Sequence, residues 1–200
     1  MSHQSFGDVK NIKMISEYIN ETKTILNKLS EDECIQSQID EVAKLILDTV
    51  LSGHKVFVAG NGGSASDSQH FVAELLSKFS KIRKPLPAIS LNSDISVLTA
   101  ISNDFGYENV FARQLEALAS KDDIFIAIST SGNSKNIINS IQKAREISLK
   151  VVGFTGENKG KMNFYCDYLI SVPAKKTSHI QECHITIIHS ICTFIENHIL

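Results

Sequence analysis

The stretch KVFVAGNGGSASDSQHFVAELL, residues 55–76, decides the fold. Its first five residues, Lys55 to Ala59, form a short apolar run rich in branched and aromatic side chains, which reads as a strand buried on both faces. Gly60, Asn61, Gly62, Gly63 and Ser64 then make a turn whose backbone N–H groups can face a ligand, and apolar residues follow at helical spacing. A strand, a glycine-rich turn and a helix in that order open a βαβ unit, and the helix N-terminus so created favours an anion. No Lys-Ser/Thr pair follows the glycines and the full G-x-G-x-x-G spacing is missing, so a nucleotide is a poor first candidate.

The same grammar continues along the chain. Further apolar runs at Ala88 to Leu91, Ile124 to Ile128, Lys150 to Phe154 and Tyr168 to Val172 alternate with helical patterns at about 65–79, 94–102, 108–119 and 134–148, which predicts a five-stranded parallel sheet with right-handed crossovers. The expected fold class is therefore α/β, a doubly wound sheet flanked by helices. Ahead of it, Ile12, Ile15, Ile19 and Ile25 and then Ile39, Val42, Ile46 and Val50 recur with helical period, predicting a pair of helices closed by Gly53; a last helix is expected over about 179–199. Gly156 to Lys161 reads as an ordinary loop, and no repeat or Pro/Gly/Ser-rich linker divides the chain. One domain over 1–200 is expected, with 1–52 as a helical preface and 53–200 as the core.

Composition narrows the partners. With 200 residues, 42% of them hydrophobic, the chain can bury a sizeable core, and a net charge of -2 supplies no broad basic field for nucleic acid or an anionic membrane. The polar start MSHQSFGDVKNIK and the absence of any apolar run of eighteen residues argue for a cytosolic protein without a membrane span. Cys34, Cys166, Cys183 and Cys192 contain no C-x-x-C pair and read as small core residues rather than a metal or redox site.

A second loop carries more chemistry. The run 124–128 ends in Ser129-Thr130-Ser131-Gly132-Asn133-Ser134, and a helix begins at once, so four hydroxyls converge on one helix start. Hydroxyls can donate to phosphate oxygens while the helix end favours their charge, without a lysine. The plainer alternative is a polar turn with Ser134 as a helix cap. Ligands of open α/β sheets sit at the carboxyl ends of the strands, and two such loops favour the anion-site reading.

Two pairs of side chains complete the list. His70 and Glu74 stand four residues apart and share a helix face, where they could bind a divalent metal or act on one substrate, although a solvated surface pair is the plain alternative. Gln181 and His189 are eight residues apart, about 80° around a helix, among the core-like Ile180, Ile185, Ile187 and Ile188. His184 rivals His189, and spacing neither chooses between them nor shows that the two helices meet.

The fragments AGNGGSASDSQHFVAEL, ISNDFGYENVFARQLEAL, ISTSGNS and HIQECHITIIHS, in this order and spacing, resemble the phosphoheptose isomerases of the sugar isomerase (SIS) domain superfamily, over nearly the whole chain. The resemblance implies a flavodoxin-like three-layer SIS fold and interconversion of D-sedoheptulose 7-phosphate with D-glycero-D-manno-heptose 7-phosphate, an early step toward activated heptose for lipopolysaccharide or capsule. It implies one zinc ion per subunit held by His70, Glu74, Gln181 and His189, with Glu74 and His189 as the catalytic acid–base pair. Substrate contacts implied by the match are Asn61, Gly62, Gly63, Ser64, Glu74, Asn103, Asp104, Ser129, Thr130, Ser131, Ser134 and Gln181. It also implies a homotetramer, assembled through the N-terminal helices, with active sites at subunit interfaces. Lys78, where many relatives carry arginine, and Ser178-His179, where relatives tend to carry Arg before the Ile-Gln-Glu run, depart from the pattern and bear on hydroxyl recognition. The rival expectation is a non-catalytic SIS protein that binds the replication initiator or senses a sugar phosphate. Such a relative lacks the Glu and His that stand here at 74 and 189.

Overall fold

The computed structural model describes residues 8–199, with side chains from residue 13 onward. The side chain of Ile12, first of the apolar series, lies outside the described residues. Two antiparallel-capable helices come first, α1 (Asp8–Glu31) and α2 (Glu33–Leu51), separated by Asp32. The Asp32 carboxylate accepts the N–H groups of Cys34 and Ile35 at 3.1 and 3.0 Å, which satisfies the first turn of α2. Gly53 follows α2 with φ 82° and donates its N–H to the Val50 carbonyl, a left-handed closure that explains the glycine at that place.

The sheet is parallel throughout. β1 (Val56–Ala59), β2 (Ala88–Ser90), β3 (Ile124–Ile128), β4 (Lys150–Thr155) and β5 (Tyr168–Ser171) are ordered β2-β1-β3-β4-β5, so the winding reverses between β1 and β3. The helices α3 (Gly63–Leu76), α4 (Ile95–Phe105), α5 (Ala112–Leu118), α6 (Lys135–Glu146) and α7 (Thr177–Ile199) cover its two faces. Strand residues alternate between two cores. Val56, Val58, Ile124, Ile126 and Phe154 pack with α2, α3 and α7, whereas Phe57, Ala59, Phe125, Ala127 and Val151 pack with α5 and α6. That alternation of wholly apolar side chains is the physical content of the unbroken runs in the sequence.

Several expected boundaries shift for local reasons. The helix expected over 65–79 starts at Gly63 and stops at Leu76, because Ser77 leaves helical geometry (ψ -104°) and Arg83 takes the carbonyls of Glu74 and Leu75. The helix expected over 108–119 splits into a single 3-10 turn at Tyr107–Asn109 and α5, with the wholly buried Val110 and Phe111 between them. The loop expected at Gly156 to Lys161 runs into a second 3-10 turn, Gly160–Phe164.

One expectation about burial is corrected. Ile15 and Ile19, read as the inward stripe of α1, are 64% and 60% exposed, and Met14 and Tyr18 beside them are exposed as well. α1 touches the body mainly through its second half, where Leu29 is buried and Ile25 and Leu26 pack against the core. α4 likewise has no buried residue. Helical period reports an apolar face, and it does not report whether the chain itself covers that face.

Two histidines of α7 have opposite electrostatic fates. His184 is fully buried, edge-on to Phe154, with Nε2 3.3 Å from the Thr155 carbonyl and Nδ1 unpartnered. Burial pushes its pKa down to about 4, against a smaller upward pull from Thr155. His179 is also buried, but it lies between Glu182 and Glu21 at 3.0 and 3.1 Å, and these carboxylates raise its pKa. For His184 the neutral form is the folded one, so its contribution is complete above pH 6.5 and is lost as the pH falls toward 4. The loss amounts to at most about 3 kcal/mol. His179 acts in the opposite sense, supporting the fold at low pH and losing effect as pH rises through its raised pKa. Urea unfolding at pH 7 and pH 5 should therefore show a smaller acid-induced drop in His184→Gln than in the parent, since Gln can still donate to Thr155. Equal drops would remove His184 from the account.

Candidate active site

The two loops singled out in the sequence lie at the carboxyl ends of adjacent strands, Ala59 of β1 pairing in register with Ala127 of β3, at the point where the winding reverses. A reciprocal amide pair ties them together: Asn61 donates to Asn136 Oδ1 at 2.9 Å and Asn136 donates to Asn61 Oδ1 at 2.8 Å, while the Tyr107 hydroxyl also donates to Asn61 at 2.9 Å. Asn136 and Tyr107 were not legible as site residues, because neither belongs to a loop motif. Gly62 has φ 57° and caps α3 without a side-chain bond, and Ser64 in the first turn is buried.

In the second loop the structure separates the two readings of Ser134. It stands at the N-cap position of α6, yet its side chain makes no capping bond; its hydroxyl lies 3.1 Å from that of Ser129 instead. Among the described residues the N–H groups of Lys135 and Asn136 thus have no side-chain acceptor, whereas that of Ile137 donates to Asn136 Oδ1 at 3.0 Å; free N–H groups at a helix start suit an anion. Thr130 and Ser131 line a cleft of about 410 Å³ with Glu157, Asn158, Lys175, Thr177 and Ile180. A larger hollow of about 810 Å³, between α1 and residues 173–176, contains none of His70, Glu74 and His189.

α3 and α7 pack directly on one another, and this brings the remaining residues together. His70 Nε2 is 3.0 Å from His189 Nε2 and 3.3 Å from Glu74 Oε1, and the Phe79 ring lies 5.6 Å from that of His189. The two rival histidines of α7 differ in place: His184 points into the core, and His189 meets His70. Glu74 is partly shielded, its side chain 21% exposed, so its carboxylate is reachable without being fully hydrated.

The donors fit a zinc ion in type, two imidazole nitrogens and a carboxylate oxygen. Two nitrogens on a tetrahedral zinc stand about 3.3 Å apart, so the 3.0 Å histidine pair would have to part by a few tenths of an ångström. Among the described residues, no three His, Cys, Asp or Glu side chains are already closed around a common point. Gln181 makes no hydrogen bond to this group among the described residues. Its amide packs on Gly63, where an added Cβ would come within 2.5 Å of Nε2.

Two expected contacts stand apart within the chain. Asn103 and Asp104 are exposed on the last turn of α4, where the Asn103 amide donates to Asp104 at 2.8 Å, and Asp104 lines the groove between α4 and α5. Conversely, Asp67 was overlooked. It sits one turn before His70 with a buried, unpartnered Oδ2, and burial lifts its pKa to about 6 against the opposing pull of His70. The spacing Asp67, His70, Glu74 was the signal that could have found it. Lys78 is exposed and His179 serves the α1–α7 contact.

Fold and site together define a sugar isomerase domain, and the SIS domain family matches residues 17–156. That match ends before α7, which carries Gln181 and His189, so whole-chain relatives are the sharper comparison. A phosphoheptose isomerase of Aliarcobacter butzleri is 46% identical over 184 residues, 92% of this chain and 96% of that protein. One from Helicobacter pylori is 49% identical over 166 residues, 83% of this chain and 86% of its own length. Among solved structures, a phosphoheptose isomerase from Francisella tularensis superposes with TM-score 0.89 at 34% identity, covering 94% of this chain and 98% of that one. That of Neisseria gonorrhoeae gives 0.87 at 34%, covering 92% and 98%. The chain belongs to the phosphoheptose isomerase family.

Proposed function

We propose that this protein interconverts D-sedoheptulose 7-phosphate and D-glycero-D-manno-heptose 7-phosphate, with Glu74 and His189 as the proton-transfer pair. The observation that carries the reading is the approach of Glu74, His70 and His189 from two helices, in a chain 46% and 49% identical to proteins named for this isomerisation. The substrate's phosphate would be held by the hydroxyls of Ser129, Thr130, Ser131 and Ser134 and by the first N–H groups of α6, with Asn61, Gly62, Gly63 and Ser64 bounding the sugar on the β1 side. Pinning the phosphate fixes which carbons reach the carboxylate.

Aldose–ketose isomerisation moves one proton between adjacent carbons through an enediol, with the oxygens exchanging a proton in the opposite sense. Glu74 takes the proton from the carbon beside the carbonyl and returns it to the neighbouring carbon, and His189 gives and takes at oxygen. Zinc is the metal that His70, Glu74 and His189 would hold, with Gln181, whose amide packs on Gly63 within its own chain, as a fourth ligand only if a second subunit brings it there; bound there, the metal would supply Lewis-acid stabilisation of negative charge on oxygen. Among the described residues the side chains of Asn103 and Asp104 are hydrogen-bonded to each other, away from His70, Glu74 and His189, which supports a site completed by a second subunit. The exposed Met14, Ile15, Tyr18 and Ile19 face of α1 and the exposed Ile95 and Phe105 at the ends of α4 support assembly through these helices, and a homotetramer is the proposed state. Among the described residues no helix is long and apolar enough to cross a membrane, and cytoplasmic residence is the proposed location. Nothing favours the non-catalytic alternative, whose distinguishing mark is the loss of the two groups present here at 74 and 189.

The test is direct. Purified protein incubated with sedoheptulose 7-phosphate should produce aldoheptose phosphate, followed by NMR, and a chelator should abolish turnover until zinc is restored. No conversion under metal-replete conditions would remove the isomerase reading, and turnover that survives chelation would remove the zinc.

A further inference from the structure

The end of α3 is held by a second pair of charges outside the site. Arg83 and Glu196 are each 2% exposed at the side chain, with Arg83 Nε 3.3 Å from Glu196 Oε1, close enough to pair but not aligned for a hydrogen bond. The other Arg83 nitrogens reach back: Nη2 donates to the Glu74 carbonyl at 2.6 Å, and Nη1 donates to the carbonyls of Leu75 at 2.8 Å and Lys84 at 3.1 Å. The last carbonyls of a helix have no partner within it; the guanidinium caps that of Glu74 and shares that of Leu75 with the Leu86 N–H, which donates at 3.0 Å.

Glu196 works on the other side of the same turn. Its carboxylate accepts the N–H groups of Phe79, Ser80 and Lys81 at 2.8, 2.9 and 2.9 Å, and the Ser80 hydroxyl at 2.8 Å. Burial alone would raise its pKa, but these donors bring it down to about 2, so the carboxylate stays charged throughout the working range. Glu196 lies seven residues after His189, about two turns, and therefore on the same face of α7. One rigid helix thus presents His189 to His70 and Glu196 to the turn that follows α3, and that turn places the Phe79 ring against His189.

We infer that Arg83 and Glu196 are positioning residues for the isomerase, a clasp that sets the Glu74 carboxylate and the His189 imidazole in register across the α3–α7 interface. The inference rests on the proposed function, because register matters only if those two groups act on one substrate. Among the described residues neither clasp side chain is hydrogen-bonded or ion-paired to the Glu74 or His189 side chain. The clasp acts through the Glu74 carbonyl and the Phe79 ring, and a shift of about 1 Å at reacting groups is enough to cost roughly a hundredfold in rate.

Two variants keep the charge balance or the shape. Arg83→Lys retains a cation but cannot bridge three carbonyls, and Glu196→Gln retains an oxygen acceptor for the turn while removing the charge. Each should lower kcat by about tenfold or more with KM within about twofold, since the hydrogen bonds of Arg83 and Glu196 go to residues 74–84 and none to the 129–134 loop among the described residues. In the same samples the side-chain nitrogen signals of His70 and His189, read by NMR on histidine-labelled protein, should move. Unchanged kcat together with unmoved imidazole signals, in a variant that is merely less heat-stable, overturns the positioning role. A rise in KM at constant kcat overturns it as well. If the parent protein fails to isomerise the heptose, the functional reading falls by itself, while the imidazole signals still decide whether the clasp sets the register.

Discussion

Glu74→Gln is expected to lower kcat by about a hundredfold to ten-thousandfold, the range for removing a positioned general base, while leaving KM near that of the parent. The amide keeps the size and one oxygen of the carboxylate, so α3 should fold unchanged; the side chain's recorded polar contact is the 3.3 Å approach to His70, and the Glu74 backbone carbonyl stays with Arg83. What is lost is the ability to accept a proton from carbon. Steady-state kinetics on sedoheptulose 7-phosphate, with zinc content measured on the same samples, separates this from a loss of metal: low kcat at full metal content assigns the base, and low kcat in metal-free protein assigns a ligand role instead. Near-parental turnover ends the assignment of Glu74. His189→Asn should fall in the same direction, because it removes the group that serves the oxygens, and the double variant should be little worse than the poorer single one if the two act as a unit.

The α/β winding could be read from the chain because each strand is apolar on both faces. Val56, Phe57, Val58 and Ala59 are all fully buried, and no alternating pattern competes with a parallel-sheet reading. The two loops were readable for a related reason: glycines and hydroxyls leave a local mark where a strand passes into a helix. What stayed hidden depends on distance in space. His70 and His189 are 119 residues apart, and only the packing of α3 on α7 makes them neighbours. Asn136 is a buried residue inside α6 whose amide reaches Asn61, and nothing in its surroundings in sequence distinguishes it from a surface asparagine. Arg83 and Glu196 are hidden in the same way. The exposed stripe of Ile15 and Ile19 shows the opposite limit, since a helical period is identical whether the covering surface belongs to this chain or to another.

Gly132→Ala should be strongly destabilising, and the reason is geometric. Gly132 has φ 64°, where a side chain costs about 1–2 kcal/mol by itself. A Cβ there would in addition run into the backbone carbonyl of Lys159, and it would stand 3.1 Å from the Gly160 nitrogen, so the obstacle is main chain that cannot rotate away. The two backbones are pressed together by the Met162 N–H donating to the Gly132 carbonyl at 3.1 Å and the Lys161 N–H donating to Asn133 at 3.0 Å. Forcing them apart moves Ser129, Thr130, Ser131 and Ser134 off the start of α6. Gly53→Ala is the matched comparison: φ is 82°, yet nothing lies within 4 Å of the added carbon, so it carries the strain without the collision. Gly53→Ala should lower the melting temperature by a few degrees, about what 1–2 kcal/mol does in a chain of this size, with kcat/KM unchanged. Gly132→Ala should lower it further and reduce kcat/KM by about a hundredfold, chiefly through KM, because several hydrogen bonds to a charged phosphate are lost together. Equal melting temperatures and equal kcat/KM in the two variants would mean that the loop gives way to the methyl, and that the hydroxyls of Ser129 to Ser134 do not depend on its contact with Lys159 for their place.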